Sequence, residues 1–428
     1  TRRHAYAVRD ANSDNVRALD TWRLIAAARS TDDVRDALAR TLGAPWLNTV
    51  ASDRRGRVLY ANIQAAPHVT DARVRRCAPD AAAVAEFRRT GRPTLDGSRS
   101  SCAWGSDPGA VLPGLFGPAR QPVLERADWV GNANDSPWLT NPDAPLVGYP
   151  RVFGDVGTRR SPRTQELVVS VRGRLAGTDG QPGRGFTAAS ARDMLMAQHS
   201  RAAHLMRADL AAMCASFPDG RAPSAGGPVD VRAGCAALAA WDGRFTLDSR
   251  GALLFNLFWQ RCTGECAGVR WRVPFDPADP VGTPYGLNGG DARVQRAFGD
   301  AAAALLAAGF PTDAPLRAGQ RVTRGGAVVP IPGGLHGHGV LNVITPEPWV
   351  DGEGYTEIAH GSSYLHAVQF PAAGPPEGYV LLTYAQASDP TSPHHADQTL
   401  AFSAGRWERE RFTEADVLAS PALTVLRL

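Results

Sequence analysis

Residues 128–142 read Asp128-Trp129-Val130-Gly131-Asn132-Ala133-Asn134-Asp135-Ser136-Pro137-Trp138-Leu139-Thr140-Asn141-Pro142. The stretch is dense in carboxamides, carries two Trp and is stiffened by two Pro. It shows neither the 3.6 period of a helix nor the clean period of 2 of a strand. That predicts a rigid loop at a site, not a solvated linker. Asn side chains donate two hydrogen bonds without carrying charge. They suit an oxyanion hole, where fixed donors face an oxygen that becomes negative during acyl transfer. The same residues also suit a cluster of Asx-turns that only shapes a loop. Composition leaves both readings open.

Outward from this loop, other blocks stand out. They are Ala5-Tyr6-Ala7-Val8-Arg9-Asp10-Ala11-Asn12, Gly43-Ala44-Pro45-Trp46-Leu47-Asn48-Thr49, Ile331-Pro332-Gly333-Gly334 and Ser392-Pro393-His394-His395-Ala396-Asp397-Gln398-Thr399. Taken in order with the central loop, they resemble the penicillin-acylase-type N-terminal nucleophile hydrolases. The nearest branch acts on long aliphatic acyl chains: aculeacin A acylase, penicillin V acylases and acyl-homoserine-lactone acylases. The blocks span almost the whole chain, and it is their combination that is specific.

The resemblance implies an α+β fold with an αββα four-layer core, here the larger, C-terminal part of a β-chain with its first strands missing. It implies an amidohydrolase that removes a long acyl chain from a lipopeptide or penicillin V, with acyl-homoserine lactones as the close alternative. A non-catalytic acyl-binding fragment is the alternative of another class. The family nucleophile is a Ser that begins the β-chain after self-cleavage, and its own α-amine is the base. Such an amine has a pKa of about 7.7–8.0 in peptides. That Ser is expected upstream of Thr1, on a segment that joins an α-chain as partner. Thr1-Arg2-Arg3-His4 matches an internal family position, so Thr1 is not expected to be the nucleophile. Asn134 is the expected oxyanion donor. Asn132 lies two residues away and points to the same side if the loop is extended. Trp46 matches a Trp lining the acyl pocket, with a core aromatic as the other reading. Arg163 matches an Arg that orders the catalytic Asn and the amino group; its planar fork suits that task, although Arg159 and Arg160 next to it blur the register. No cofactor is implied.

Composition sets limits. The chain has 428 residues, 43% hydrophobic and 21% charged, ordinary for a globular protein. A net charge of +4, with all 46 basic residues being Arg spread along the chain, gives no reason to expect a nucleic-acid partner. No apolar run approaches the ~18 residues of a membrane span. The six Cys (Cys77, Cys102, Cys214, Cys235, Cys262, Cys266) form no Cys-x-x-Cys, and an even count allows about 15 full pairings. Nearest-neighbour pairing, 77–102, 214–235 and 262–266, is the expected one. Disulfides place the protein in a secreted or periplasmic compartment; six buried thiols in a cytosolic enzyme is the other reading. His336-Gly337-His338 and His394-His395-x-Asp397 lack a third spaced partner, so no metal is expected. No Gly-x-Ser-x-Gly elbow is present.

Periodicity predicts helices after Ser13-Asp14 and Thr31-Asp32-Asp33, then a hairpin about Asp53-Arg54-Arg55-Gly56. Residues 63–125, rich in Pro and Arg, are expected to be irregular. Residues 1–164 are expected to form a core part with the Asn loop, 165–320 a mostly helical excursion, and 321–428 returning strands with a final helix.

Overall fold

A computed structural model describes residues 5–426; Thr1 lies outside the described residues. Helices and short antiparallel sheets mix along the chain, an α+β organisation. The chain divides at Thr158/Arg159 into two compact units.

The first unit is built on a helix pair and a small sheet. Helix α1 is Ala18–Ala26 and α2 is Thr31–Thr41. Ser30 caps α2 by accepting from the Asp33 amide at 3.2 Å, and Leu42 ends it in the left-handed region. Strands β1 (Thr49–Ser52) and β2 (Val58–Ala61) form the expected hairpin, and β3 (Val123–Arg126) pairs with the other edge of β2. The face of α2 carrying Leu38, with Leu42, closes on Leu59, Ala61, Ile63 and Leu115. Each large aliphatic side chain buried there contributes about 1.5–3 kcal/mol.

Residues 63–125 differ from expectation, because they contain two helices. These are α3 (Asp71–Cys77), capped by Thr70, and α4 (Ala81–Thr90), capped by Asp80 and stopped by Gly91 at φ 73°. Both caps were present in the sequence, but each helix buries only a narrow face: Val74 and Cys77 in α3, Phe87 in α4. A stripe that narrow gives little periodic signal.

The second unit opens with α5 (Pro162–Ala176). The stretch 186–217 is two helices, α6 (Ala188–Met196) and α7 (Arg201–Ala215), with the Ser200 cap between them. Then come α8 (Arg232–Ala240), α9 (Ala252–Gly264) and α10 (Ala292–Ala307). Their buried faces meet in one large core that includes Met206, Leu210, Phe255, Phe258 and Phe298. Strands β4 (Trp271–Val273) and β5 (Tyr285–Leu287) form a short ribbon against α7. A second core packs Ile331, Leu365, Leu381 and Phe402 between the paired strands β6 (Tyr364–Gln369) and β7 (Glu377–Leu382) and helix α11 (Asp397–Ser403). A short helix, Glu414–Leu418, follows, and Ala422 to Leu426 form no regular element.

All six Cys are bonded: Cys77 to Cys102, Cys214 to Cys235 and Cys262 to Cys266, with Cα–Cα distances of 5.5, 5.6 and 4.6 Å. Among the described residues no helix is long and apolar enough to cross a membrane.

Candidate active site

The loop 128–142 is fixed from both ends. Gly131 donates its amide to the Thr140 carbonyl at 3.0 Å, and the fully buried Asn141 donates Nδ2 to the Trp129 carbonyl at 2.9 Å. These two bonds close the stretch into a clasp. Trp129, Trp138 and Leu139 turn inward as its apolar filling. Asp128, at the start, is gripped by Arg126 through two bonds of 2.5 and 2.6 Å, and that guanidinium lowers its carboxyl to about 2. Ser136 caps the short turn Pro137–Leu139 and donates Oγ to the Asp155 carbonyl at 2.6 Å. Gly154 makes the close approach possible. Its φ is 132°, and a Cβ there would stand 2.7 Å from Ser136 Oγ.

The loop is not extended at its centre. Asn134 has φ 58°, in the left-handed region that Asn tolerates better than most residues. The extended loop that would put Asn132 on the same side as Asn134 is therefore not what forms. Asn132 Nδ2 donates to the Asp135 carbonyl at 3.0 Å, and its Oδ1 accepts from the Asp135 amide at 3.2 Å. That is an Asx-turn, so the loop-shaping reading describes Asn132 while Asn134 remains exposed.

Asn134 lines an open cavity of about 520 Å³ within the first unit, together with Trp46, Asn48, Asn62, Gln64 and Arg151. Trp46 is 71% exposed and also has a positive φ, 49°. An exposed indole on a disfavoured backbone is not core filler, and such strain concentrates at sites. Behind it runs a chain of carboxamides. Tyr60 Oη donates to Asn48 Oδ1 at 2.5 Å, Asn62 Nδ2 donates to the same oxygen at 3.0 Å, and Gln64 Nε2 donates to Asn62 Oδ1 at 2.6 Å. Buried Gln121 holds the Gln64 backbone on both sides. Burial pushes the Tyr60 hydroxyl up to about 12, so it stays a donor at working pH. Arg151 joins the wall to α4, donating Nε to the Phe87 carbonyl at 2.9 Å and pairing with Asp155 at 2.9 Å. A cation on those last carbonyls complements the helix dipole.

Sequence reasoning singled out Trp46, Asn132 and Asn134 but not Asn62 or Gln64. The alternation Tyr60-x-Asn62-x-Gln64 at the end of β2 was the available signal: side chains two apart share a face. Arg163 sits in the first turn of α5, in the second unit, two residues after the Ser161 cap. Of the two His clusters, His338 is buried among Phe245, Phe255 and Trp259, and His394 pairs with Asp397 at 2.7 Å on the surface. Among the described residues no three metal-ligating side chains converge.

Comparison with known proteins gives this geometry a family. The penicillin amidase family model matches residues 1–419. Aculeacin-A acylase from Actinoplanes utahensis is 41% identical over 99% of this chain and 52% of its own length. Acyl-homoserine lactone acylases PvdQ from Pseudomonas fluorescens and Pseudomonas putida are 35% and 36% identical, each over 97% of this chain and 51% and 50% of their own lengths. The chain thus spans about half the length of the curated relatives it matches. A thermostable penicillin G acylase from Alcaligenes faecalis superposes with a TM-score of 0.52 at 16% identity, over 98% of this chain and 74% of that one, which shows the fold. With the model matching nearly end to end, the chain belongs to the penicillin amidase family.

Proposed function

We propose that this chain supplies the oxyanion half of an acylase site that hydrolyses the amide between a long aliphatic acyl group and an amine. The observation that carries the reading is the placement of Asn134: an uncharged double donor, on a loop clasped at both ends, in the wall of a cavity that also holds an exposed Trp46. A loop serving only to shape the surface has no need of a preorganised donor in a cavity.

The mechanism follows from the donor. A Ser on polypeptide outside this sequence attacks the amide carbonyl with Oγ, and its own α-amine takes the proton. The carbonyl oxygen becomes an oxyanion, held by Asn134 Nδ2 and a backbone N–H. The C–N bond breaks, the amine leaves with the proton, and water clears the acyl-enzyme by the same steps. Trp46 forms part of the acyl wall. The full enzyme therefore pairs this chain with an α-chain and an upstream β-segment. The three disulfides support a secreted or periplasmic location.

Likeness to aculeacin-A acylase supports a lipopeptide or penicillin V as substrate; likeness to the PvdQ acylases supports acyl-homoserine lactones as the second reading. Rates of the complete protein on a series of acyl lactones against a cyclic lipopeptide separate the two. Asn134→Gly, which tolerates the left-handed backbone, tests the donor itself. Removing one such donor lowers kcat by about a hundred- to a thousandfold. A variant that folds and keeps more than about a tenth of the wild-type rate overturns the assignment.

A further inference from the structure

The second unit carries a part-open cavity of about 140 Å³, far above the ~10–15 Å³ that admits one water. Its walls include Arg159, Arg270, Trp259, Trp271, Thr263 and Gly337, and no Asp or Glu. Arg270 is only 4% exposed. Its guanidinium lies 4.1 Å above the Trp259 ring, and Nη1 donates to Thr263 Oγ1 at 3.1 Å. The backbone on either side is pinned: the Arg270 amide donates to the Cys266 carbonyl and its carbonyl accepts from Asn288, both at 2.9 Å. Two donors are left buried without an acceptor, Arg270 Nε and Trp271 Nε1. Among the described residues no carboxylate lies within ion-pair distance of Arg270.

A buried charge is ordinarily paired, because an uncompensated one opposes folding strongly. Arg270 does not escape by losing its proton. Burial, with the charge of Arg159 nearby, lowers it only to about 10, so it is cationic at neutral pH. His338 adds no second positive charge; it is fully buried and held down to about 3, hence neutral. Pro162 and Gln165, from the first turn of α5, also face the cavity, adding the positive end of that helix. The unpartnered donors Arg270 Nε and Trp271 Nε1, with the charge of Arg159 beside them, call for an anion. The flat fork of a guanidinium matches a carboxylate best, taking both oxygens at once. The two indoles favour an apolar or flat body behind it.

We propose that this cavity is a carboxylate-binding site in which Arg270 takes the two oxygens, Arg159 adds charge at the mouth and Trp259 and Trp271 flank the body of the ligand. Nothing in this assignment depends on the acylase reading. The carboxylate is either a free small molecule or an acidic side chain from polypeptide outside this sequence.

The test uses the complete protein. Trp fluorescence is followed while benzoate is added at constant ionic strength, with benzamide as its uncharged twin, in wild type, Arg270→Met and Arg270→Lys. A free carboxylate site predicts saturable binding of benzoate and none of benzamide. It also predicts affinity at least about tenfold weaker in Arg270→Met, with Arg270→Lys, which keeps the charge but not the fork, in between. If wild type ignores benzoate, the melting temperature decides. An acidic side chain already seated on Arg270 predicts a lower Tm for Arg270→Met at about pH 7.5. That gap should close toward about pH 5 as the stranded acid takes up a proton. Arg270→Lys makes the same comparison where the Met variant does not fold. The proposal is overturned if benzoate acts equally on wild type and both variants. It is also overturned if benzoate is silent and Tm is unchanged, raised, or lowered without pH dependence.

Discussion

Asn132 brackets Asp135 with both ends of its carboxamide, donating to its carbonyl at 3.0 Å and accepting from its amide at 3.2 Å. The chain between them must fold back on itself, and Asn134 takes up the turn at φ 58°. Asn132 is thus a positioning residue for Asn134. Asn132→Ala removes both bonds, at about 0.5–1.5 kcal/mol each. It should lower kcat of the complete enzyme at nearly unchanged KM, with a loss smaller than that of Asn134→Gly. Asn132→Asp keeps the acceptor and should recover part of the rate. A shift confined to KM would mean that Asn132 contacts substrate instead.

Gly154 carries the second constraint on the loop. Its φ of 132° and ψ of 170° fall in a region that only Gly enters readily, and a Cβ would lie 2.7 Å from Ser136 Oγ and 3.0 Å from Pro137 Cδ. Gly154→Ala should cost about 1–3 kcal/mol and break the Ser136–Asp155 bond. Ser136→Ala, which removes the bond without the clash, should cost only about 1 kcal/mol. Denaturant melts of both variants check the order; a Gly154→Ala protein as stable as wild type contradicts it.

What was legible in the sequence was local. The start of α2 at Thr31-Asp32-Asp33 and the Asp53–Gly56 turn of the hairpin each lie within a few residues of what they determine. The Asn loop was legible as irregular structure because its composition is unlike either periodic pattern. Its conformation was not, since the left-handed turn at Asn134 depends on the Asx-turn of Asn132 within a loop closed by Asn141. The carboxamide chain showed only as the Tyr60-x-Asn62-x-Gln64 alternation, and what holds it in place was not legible. Gln64 is held by Gln121, 57 positions away, and only pairing of β2 with β3 brings them together.

Cys77–Cys102 closes a loop of 25 residues around α4. Helices α3 and α4 bury few apolar side chains of their own, so the crosslink should matter there more than packing suggests. Replacing both Cys by Ala should cost about 3 kcal/mol. Hydrogen exchange should rise first in residues 71–102. Exchange that rises uniformly over the first unit, or not at all, would show that this segment does not depend on the bond.

Tyr60 should impose an alkaline limit on the first unit. Its hydroxyl is buried and held protonated up to about 12, whereas an exposed tyrosine ionises near 10. Between those values the unfolded chain gives up the proton and the folded chain keeps it. Stability contributed by the neutral hydroxyl is complete below pH 10 and falls through that window, by about 1.4 kcal/mol per pH unit. Tyr60→Phe has no proton to lose, so its stability should decline less steeply from pH 10 upward, although it starts lower because Asn48 Oδ1 loses a donor. Other buried tyrosines, Tyr355 among them, are raised as well, so the comparison lies in the difference between the two slopes. Urea midpoints at stepped pH for wild type and Tyr60→Phe give that difference. Parallel curves would mean that Tyr60 ionises in the folded protein as it does in the unfolded chain, and that the carboxamide wall beside Asn134 is open to water.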